Sequence, residues 1–441
     1  MVENCLIGHA KADITPKEPV KMGGYGFRKG KSTDVHDKLF AHAVYFSFKG
    51  TEIAMVSLDI LGLFNRYVNS YRKAIERITG IPQKNILIHC VHNHSGPDTV
   101  GLTDLKGFFK RTLKSDIFKL IGKGIINAVI NAKKNAAPGK VGASKAPPDK
   151  RIILNRREPL KDSKYDVGVV RIDDLNGNLR GLIINYACHG TVLPSSSNSI
   201  TADYIGYVNE TVANLSQNKV FSIYFNGTCG DINPNLLDFD IQLEDIDKSV
   251  LYDGPGGAKG NFKRASEIGG IIAKTAWNLA KTINTQDVSK LKIAHEDLLV
   301  PTNDIPLKSL WKKISVNALF KFKFKLLMSL RKIGNLLNYN FIKTKDGYKL
   351  KTEIQVIQVN DILFPTLPGE FFINLGEKIL QNSPTKNTFI IELANDCAGY
   401  FFSIPDYIEG GYEPVMSLCP LGGTYISNKL IKLINKTYEP V

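Results

Sequence analysis

The chain has 441 residues, enough for one large or two ordinary domains with a substantial core. Apolar residues make up 43% and charged residues 22%, with no internal repeat, low-complexity tract or bilayer-length apolar run, which argues against fibrous, disordered and helical membrane-spanning classes. Six cysteines without a Cys-x-x-Cys pair argue against a disulfide scaffold or a thiolate zinc site, and the net charge of +15 is concentrated in one segment, so an anionic partner is expected only there.

The opening Met1-Val2-Glu3-Asn4 has neither the basic region nor the apolar run of a secretory signal, so a cytoplasmic location is expected. Residues 53–60 predict a buried strand and 66–78 an amphipathic helix. A second strand, 86–90, runs into His89-Cys90-Val91-His92-Asn93-His94-Ser95-Gly96-Pro97. The next helix is expected over 116–136, with Ser115 as N-cap and Pro138-Gly139 as the stop. Strands at 182–186 and 220–225 lead into Ala187-Cys188-His189-Gly190-Thr191 and into the motif from Asn226 to Asn235. A third helix is expected over about 264–283.

Residues 307–338 differ from their surroundings. Leu307, Leu310, Trp311, Ile314 and Ala318 recur at helical spacing, as do Leu326, Leu330, Ile333 and Leu337, and the stretch from Phe320 to Lys325 alternates strictly. Nine Lys, one Arg and no acid between Ile305 and Lys345 carry ten of the fifteen net charges. The segment is expected to be a basic amphipathic insertion at about 305–345. With Trp311, Lys312, Lys313, Lys321, Lys323 and Lys325 it predicts contact with an anionic membrane surface at the inner face, through which a lipid substrate approaches. The plainer alternative is a core-packed helix pair with a solvated basic face. No nucleic acid is expected, because no recognition motif accompanies the charge.

Strands at 354–359, 362–366 and 389–393 complete the series, ending in Leu367-Pro368-Gly369-Glu370 and in the motif from Ala394 to Tyr400. Strands alternating with helices indicate an α/β fold of layered β-sheets flanked by helices, in a single domain over 1–441. Ligands bind at the strand ends of such sheets, so the five polar and glycine-rich motifs are expected to converge on one site.

Each candidate has a functional and a plain explanation. In an extended segment His92 and His94 point to one side, as zinc ligand and proton carrier require, whereas loop histidines before Ser-Gly-Pro are often turn formers. His89 falls on the opposite face and is set aside. His189 is either a ligand or a hydrogen-bonded core histidine, and Glu370 either a presented carboxylate or an acid in the first turn of a helix over 371–380. Tyr400 and Tyr407 sit in an aromatic stretch that otherwise reads as core, and Cys90, Cys188, Cys229 and Cys397 read as small packing residues beside a site.

The succession Asp13-Ile14-Thr15-Pro16, Met22-Gly23-Gly24-Tyr25, His92-Asn93-His94-Ser95-Gly96-Pro97, Asn155-Arg156, His189-Gly190-Thr191, Gly230-Asp231-Ile232-Asn233-Pro234-Asn235, Pro368-Gly369-Glu370-Phe371 and the stretch from Asn395 to Glu413 resembles the catalytic domain of the neutral/alkaline, non-lysosomal ceramidase family over nearly the whole chain. The resemblance implies one zinc ion held by His92, His189, Glu370 and Tyr400, with His94, Arg156 and Tyr407 around the reaction centre. Such a zinc activates water against an amide carbon and supplies the pKa shift a tyrosine ligand needs. Tyr407 and Arg156 would then steady the oxyanion, and His94 would pass a proton to the departing amine.

The implied function is zinc-dependent cleavage of an N-acyl bond in a lipid or lipid-like substrate. Two departures stand out. Asn233 occupies the place of a family serine assigned as nucleophile, which removes an acyl-serine route and leaves a hydrogen-bond donor to substrate. The chain also ends soon after the last motif, so the immunoglobulin-like C-terminal domain is expected to be missing. Two alternatives follow: an N-deacetylase of an N-acetylated sugar or lipid-linked saccharide, and a non-catalytic membrane-binding relative.

Overall fold

The computed structural model describes residues 4–26, 28–101, 115–158, 165–237, 260–302, 339–345 and 347–440. Trp311, Lys312, Lys313, Lys321, Lys323 and Lys325 lie outside them, and with them nearly all of the predicted basic insertion.

The first sheet takes the order Ile86–Cys90, Thr51–Leu58, Phe40–Phe48, Leu6–Asp13, Ala137–Pro138. Ile86–Cys90 runs parallel to Thr51–Leu58, and the other pairings are antiparallel. The second sheet, Phe221–Asn226, Leu179–Tyr186, Val167–Asp173, Lys140–Ala146, Gln286–Asp287, repeats the design with one parallel pair at its end. A third sheet joins Leu291–Pro301, Gly347–Val359, Phe341–Thr344 and Ile362–Pro365 through antiparallel pairs. Phe341–Thr344, at the end of the expected insertion, is a strand of this sheet.

Alternation of side chains along the strands explains how the layers stack. Val44, Phe46, Ile53, Met55 and Leu87 point from the first sheet into a core shared with Val170, Ile172, Ile183, Ile223 and Phe225 of the second. The intervening residues Ala43, Tyr45, Ala54, Val56, Ile86 and Ile88 point outward, against the helices Asn65–Thr79 and Ser115–Lys134. On the far side Val167, Val169, Leu182, Ile184 and Tyr224 meet Asp203–Leu215 and Phe262–Ala280. Strands buried on both faces need apolar residues at every position, which is why they read as continuous runs rather than as alternation. The result is the expected α/β arrangement, with two sheets face to face and helices outside.

One predicted strand is not regular. Residues 389–393 make only isolated bridges around them, Thr388 with Leu363, Ile391 with Thr366 and Ala394 with His89, and Leu393 takes φ 47°. A left-handed leucine cannot continue a pleat. The helix expected over 371–380 begins later, as Ile373–Gln381, which leaves Glu370 outside it. Among the described residues no helix is long and apolar enough to cross a membrane.

Candidate active site

The chain leaves the strand Ile86–Cys90 through Val91, whose amide donates to the Leu58 carbonyl at 3.0 Å, and turns sharply at His92, where φ is 60°. The extended run expected from His92 to His94 is thus replaced by a left-handed turn. Convergence of the two rings survives by other means: His94 Nε2 lies 3.1 Å from His92 Nε2. The segment is pinned against the next strand end by an Asn93–Gly190 bridge and by the His94 amide, which donates to the Gly190 carbonyl at 3.1 Å. A Cβ on Gly190 would stand 3.0 Å from the His92 carbonyl oxygen, so a larger residue would crowd this close approach.

His189 follows the strand Leu179–Tyr186, and its Nε2 lies 3.2 Å from Glu370 Oε2. His92 Nε2 lies 3.2 Å from the same oxygen. The opposite nitrogens are turned to the backbone: His92 Nδ1 to the Leu61 carbonyl at 2.9 Å, His189 Nδ1 to the Cys229 carbonyl at 2.6 Å and that of Ile232 at 3.1 Å. Each Nδ1 thus donates its proton to the backbone and each Nε2 is turned toward Glu370, the orientation in which metal-binding histidines present Nε2. His92, His94 and His189 each offer one ligand atom, all within 4.8 Å, a grouping compatible with a metal ion.

Glu370 sits on the short strand Glu370–Phe371, paired in parallel with Tyr400–Phe401, so that Glu370 and Tyr400 are register partners. Burial alone would raise the Glu370 carboxyl, but His92 and His189 beside it hold it well below the usual carboxylate range. Burial lowers His189 to about 4 and His94 well below its ordinary value. Tyr400 is pushed well above the usual phenol range by burial and by the Glu370 charge, opposed by Arg156.

The Arg156 guanidinium lies 5.7 Å from the Tyr400 ring centroid. It gives Nε to Glu413 at 2.6 Å, Nη1 to Asn233 Oδ1 at 3.0 Å and Nη2 to the Gly230 carbonyl. Asn233 stands on Ile232–Pro234, which pairs with Ile153–Asn155 and brings Arg156 alongside. Tyr407 belongs to the helix Ile404–Glu409, started by a capping box between Ser403 and Asp406 with proline in the first turn. Its ring stacks on Phe402, and its buried Oη has no hydrogen-bond partner among the described residues.

Buried Asp231 ties three motifs together. Its Oδ1 accepts from the Ile373 amide at 2.8 Å, its Oδ2 from Asn155 Nδ2 at 2.7 Å, and its carbonyl from the Arg156 amide at 2.9 Å. His89 stands apart, as expected: fully buried between the sheets, it faces Ser57 Oγ at 3.1 Å and takes the Asn226 amide at 3.1 Å. The cysteines Cys90, Cys188, Cys229 and Cys397 are buried and unpaired. Sequence reasoning gave no role to Glu413, which is 2% exposed and pairs with Arg156 at 2.6 Å and Arg157 at 3.3 Å. An acid followed by Pro-Val carries no signal of that pairing.

Residues 5–308 match the family model described as neutral/alkaline non-lysosomal ceramidase, N-terminal. The neutral ceramidase of Drosophila melanogaster is 25% identical over 263 residues, covering 52% of this chain and 36% of that protein. That of Pseudomonas aeruginosa is 24% identical over 246 residues, covering 52% and 37%. The match thus spans little more than a third of these relatives' length. The crystal structure of the Pseudomonas aeruginosa neutral ceramidase superposes with a TM-score of 0.75 at 17% identity, covering 98% of this chain and 74% of that one, and shows the shared fold.

Proposed function

The chain belongs to the neutral/alkaline non-lysosomal ceramidase family, and from that premise we propose that it is an amidohydrolase cleaving the N-acyl bond of a ceramide-like lipid, with one zinc ion held by His92, His189, Glu370 and Tyr400. The observation that carries this is the approach of His92 Nε2 and His189 Nε2 to one oxygen of Glu370, each at 3.2 Å, while their Nδ1 atoms face backbone carbonyls. Two imidazoles whose Nδ1 atoms are engaged by backbone carbonyls, with a carboxylate between their Nε2 atoms, form a donor set that suits a divalent cation. A zinc ion held by these residues would supply an activated water and a Lewis acid for the amide carbonyl.

The surrounding side chains supply the rest. Arg156 holds positive charge against Tyr400 and so favours the phenolate that a tyrosine ligand must become. Asn233, with Oδ1 engaged by Arg156, keeps Nδ2 as a donor toward substrate; an amide cannot serve as a nucleophile, so water must attack directly. The unpartnered Tyr407 hydroxyl is available to the developing oxyanion. His94, kept neutral by burial and without a partner at Nδ1 among the described residues, can take up a proton and return it to the leaving amine.

A lipid substrate is met at a lipid surface. Trp311 with Lys312, Lys313, Lys321, Lys323 and Lys325 supports approach to an anionic one through sequence alone. The test is release of free amine across a panel of N-acyl lipids and N-acetyl sugars, with His92→Ala and Glu370→Ala as controls. Turnover is expected on long-chain N-acyl lipids and is expected to vanish in both variants; unchanged turnover in both would overturn the assignment.

A further inference from the structure

A second group of ligating side chains uses none of the residues of the histidine cluster. His295 and Asp297 lie two apart on Leu291–Pro301, and Asp297 is the register partner of Glu353 on Gly347–Val359. The period of two in a strand puts all three side chains on one face. His295 Nε2 lies 3.1 Å from Glu353 Oε2 and 3.6 Å from Asp297 Oδ1, and the three ligand atoms fall within 4.8 Å of one another.

Hydrogen bonding within the group leaves it incomplete. The one proton at His295 Nε2 serves the nearer Glu353 oxygen, and Asp297 Oδ1 stands beyond hydrogen-bond distance from that nitrogen. A cation among the three would engage all of them, since ligand atoms at about 2.0–2.2 Å from a metal stand roughly 3–3.5 Å apart. Arg72 prepares the carboxylate: 2% exposed, it gives Nε to the Ile86 carbonyl at 2.7 Å and Nη1 to Glu353 Oε1 at 2.6 Å, leaving Oε2 turned to His295. Its third nitrogen, Nη2, is buried without a hydrogen-bond partner among the described residues. Arg72, His295, Asp297 and Glu353 line one cleft of about 590 Å³, shared with Asn340 and Lys351. The Asp297 side chain is 62% exposed, so the group opens to solvent and to small ligands.

We propose that His295, Asp297 and Glu353 form a second divalent-cation site, suited to a transition metal of the zinc type, whose remaining positions are filled by oxygen donors from the cleft. One imidazole with two carboxylates is a donor set for such ions, and an arginine holding the second carboxylate oxygen is the kind of partner that orients a ligand.

The test counts zinc. Tag-free full-length chain is equilibrated with Zn²⁺, freed of excess by dialysis and measured by inductively coupled plasma mass spectrometry. The expected result is two zinc ions per chain in the wild type and one in Asp297→Asn or His295→Gln, with one also remaining in His92→Ala. An undiminished zinc count in both Asp297→Asn and His295→Gln would overturn the proposal. Failure of the active-site assignment shows differently, as an undiminished count in His92→Ala with a reduced count in Asp297→Asn.

Discussion

A methyl group on Gly24 would lie 2.3 Å from His94 Cγ, and Gly24 holds φ +93°, where an L side chain is strained in any case. The glycine leaves room for the imidazole, which meets the Tyr25 ring in a T-shaped contact at 4.9 Å between centroids and whose backbone carbonyl is held by Arg28 Nη1 at 2.6 Å. Gly24→Ala is expected to displace His94 while leaving His92, His189 and Glu370 in place. Turnover should fall by about a hundredfold, the usual cost of an ångström-scale misplacement, with zinc content unchanged. Steady-state kinetics with metal analysis on the same samples checks this, and loss of zinc in parallel would show a wider collapse. At this scale His92, His94, His189 and Glu370 stood out as candidates because they stand where strands give way to polar motifs, while Tyr400 read as core until the family resemblance singled it out. Their supports did not stand out. The carbonyls of Leu61, Cys229 and Ile232 that fix the imidazole tautomers are backbone atoms every residue possesses. Glu413 meets Arg156 across 257 residues of chain, a distance that only folding removes.

Elements were legible where burial on both faces wrote them as apolar runs, as in Thr51–Leu58, Ile86–Cys90 and Leu179–Tyr186. Leu6–Asp13 escaped notice because it is half-exposed and interleaves His9 and Lys11 with alanines. Residues 389–393 misled for the opposite reason: they are buried and apolar, yet their backbone turns left-handed at Leu393 to present Asn395 to the Ile88 amide at 2.9 Å. The two-faced strands also locate the energetic centre of the molecule. Ile183 is 1% exposed and lies in the core shared by the sheets, where close packing limits relaxation around a void. Ile183→Ala is expected to cost about 2–5 kcal/mol. A lowered urea midpoint with an unchanged slope would check it; a loss of less than about 1 kcal/mol would mean that the sheets close over the gap.

Charge acts at the scale of the whole molecule, and here it is unevenly shared: residues between Ile305 and Lys345 hold ten of the fifteen net charges. Pairing is common elsewhere on the chain, as in Lys133 with Glu52 at 2.8 Å, Arg171 with Asp173 at 2.8 Å and Lys429 with Glu296 at 2.8 Å. No acid falls within the basic segment itself. A sequence of that kind, bearing Trp311 and several phenylalanines, is expected to be attracted to an anionic bilayer by charge and retained by apolar contact. The full chain is accordingly expected to co-sediment with phosphatidylserine-containing vesicles at low salt, to be released as salt screens the lysines, and to ignore purely zwitterionic vesicles. Each lysine near the surface contributes about 1 kcal/mol. Replacing Lys321, Lys323 and Lys325 together by Gln should therefore weaken binding roughly a hundredfold, without altering turnover of a water-soluble N-acyl substrate that needs no bilayer. If the wild-type chain stays in the supernatant at low salt, the basic segment has another use and the proposed lipid substrate would have to be met away from an anionic surface.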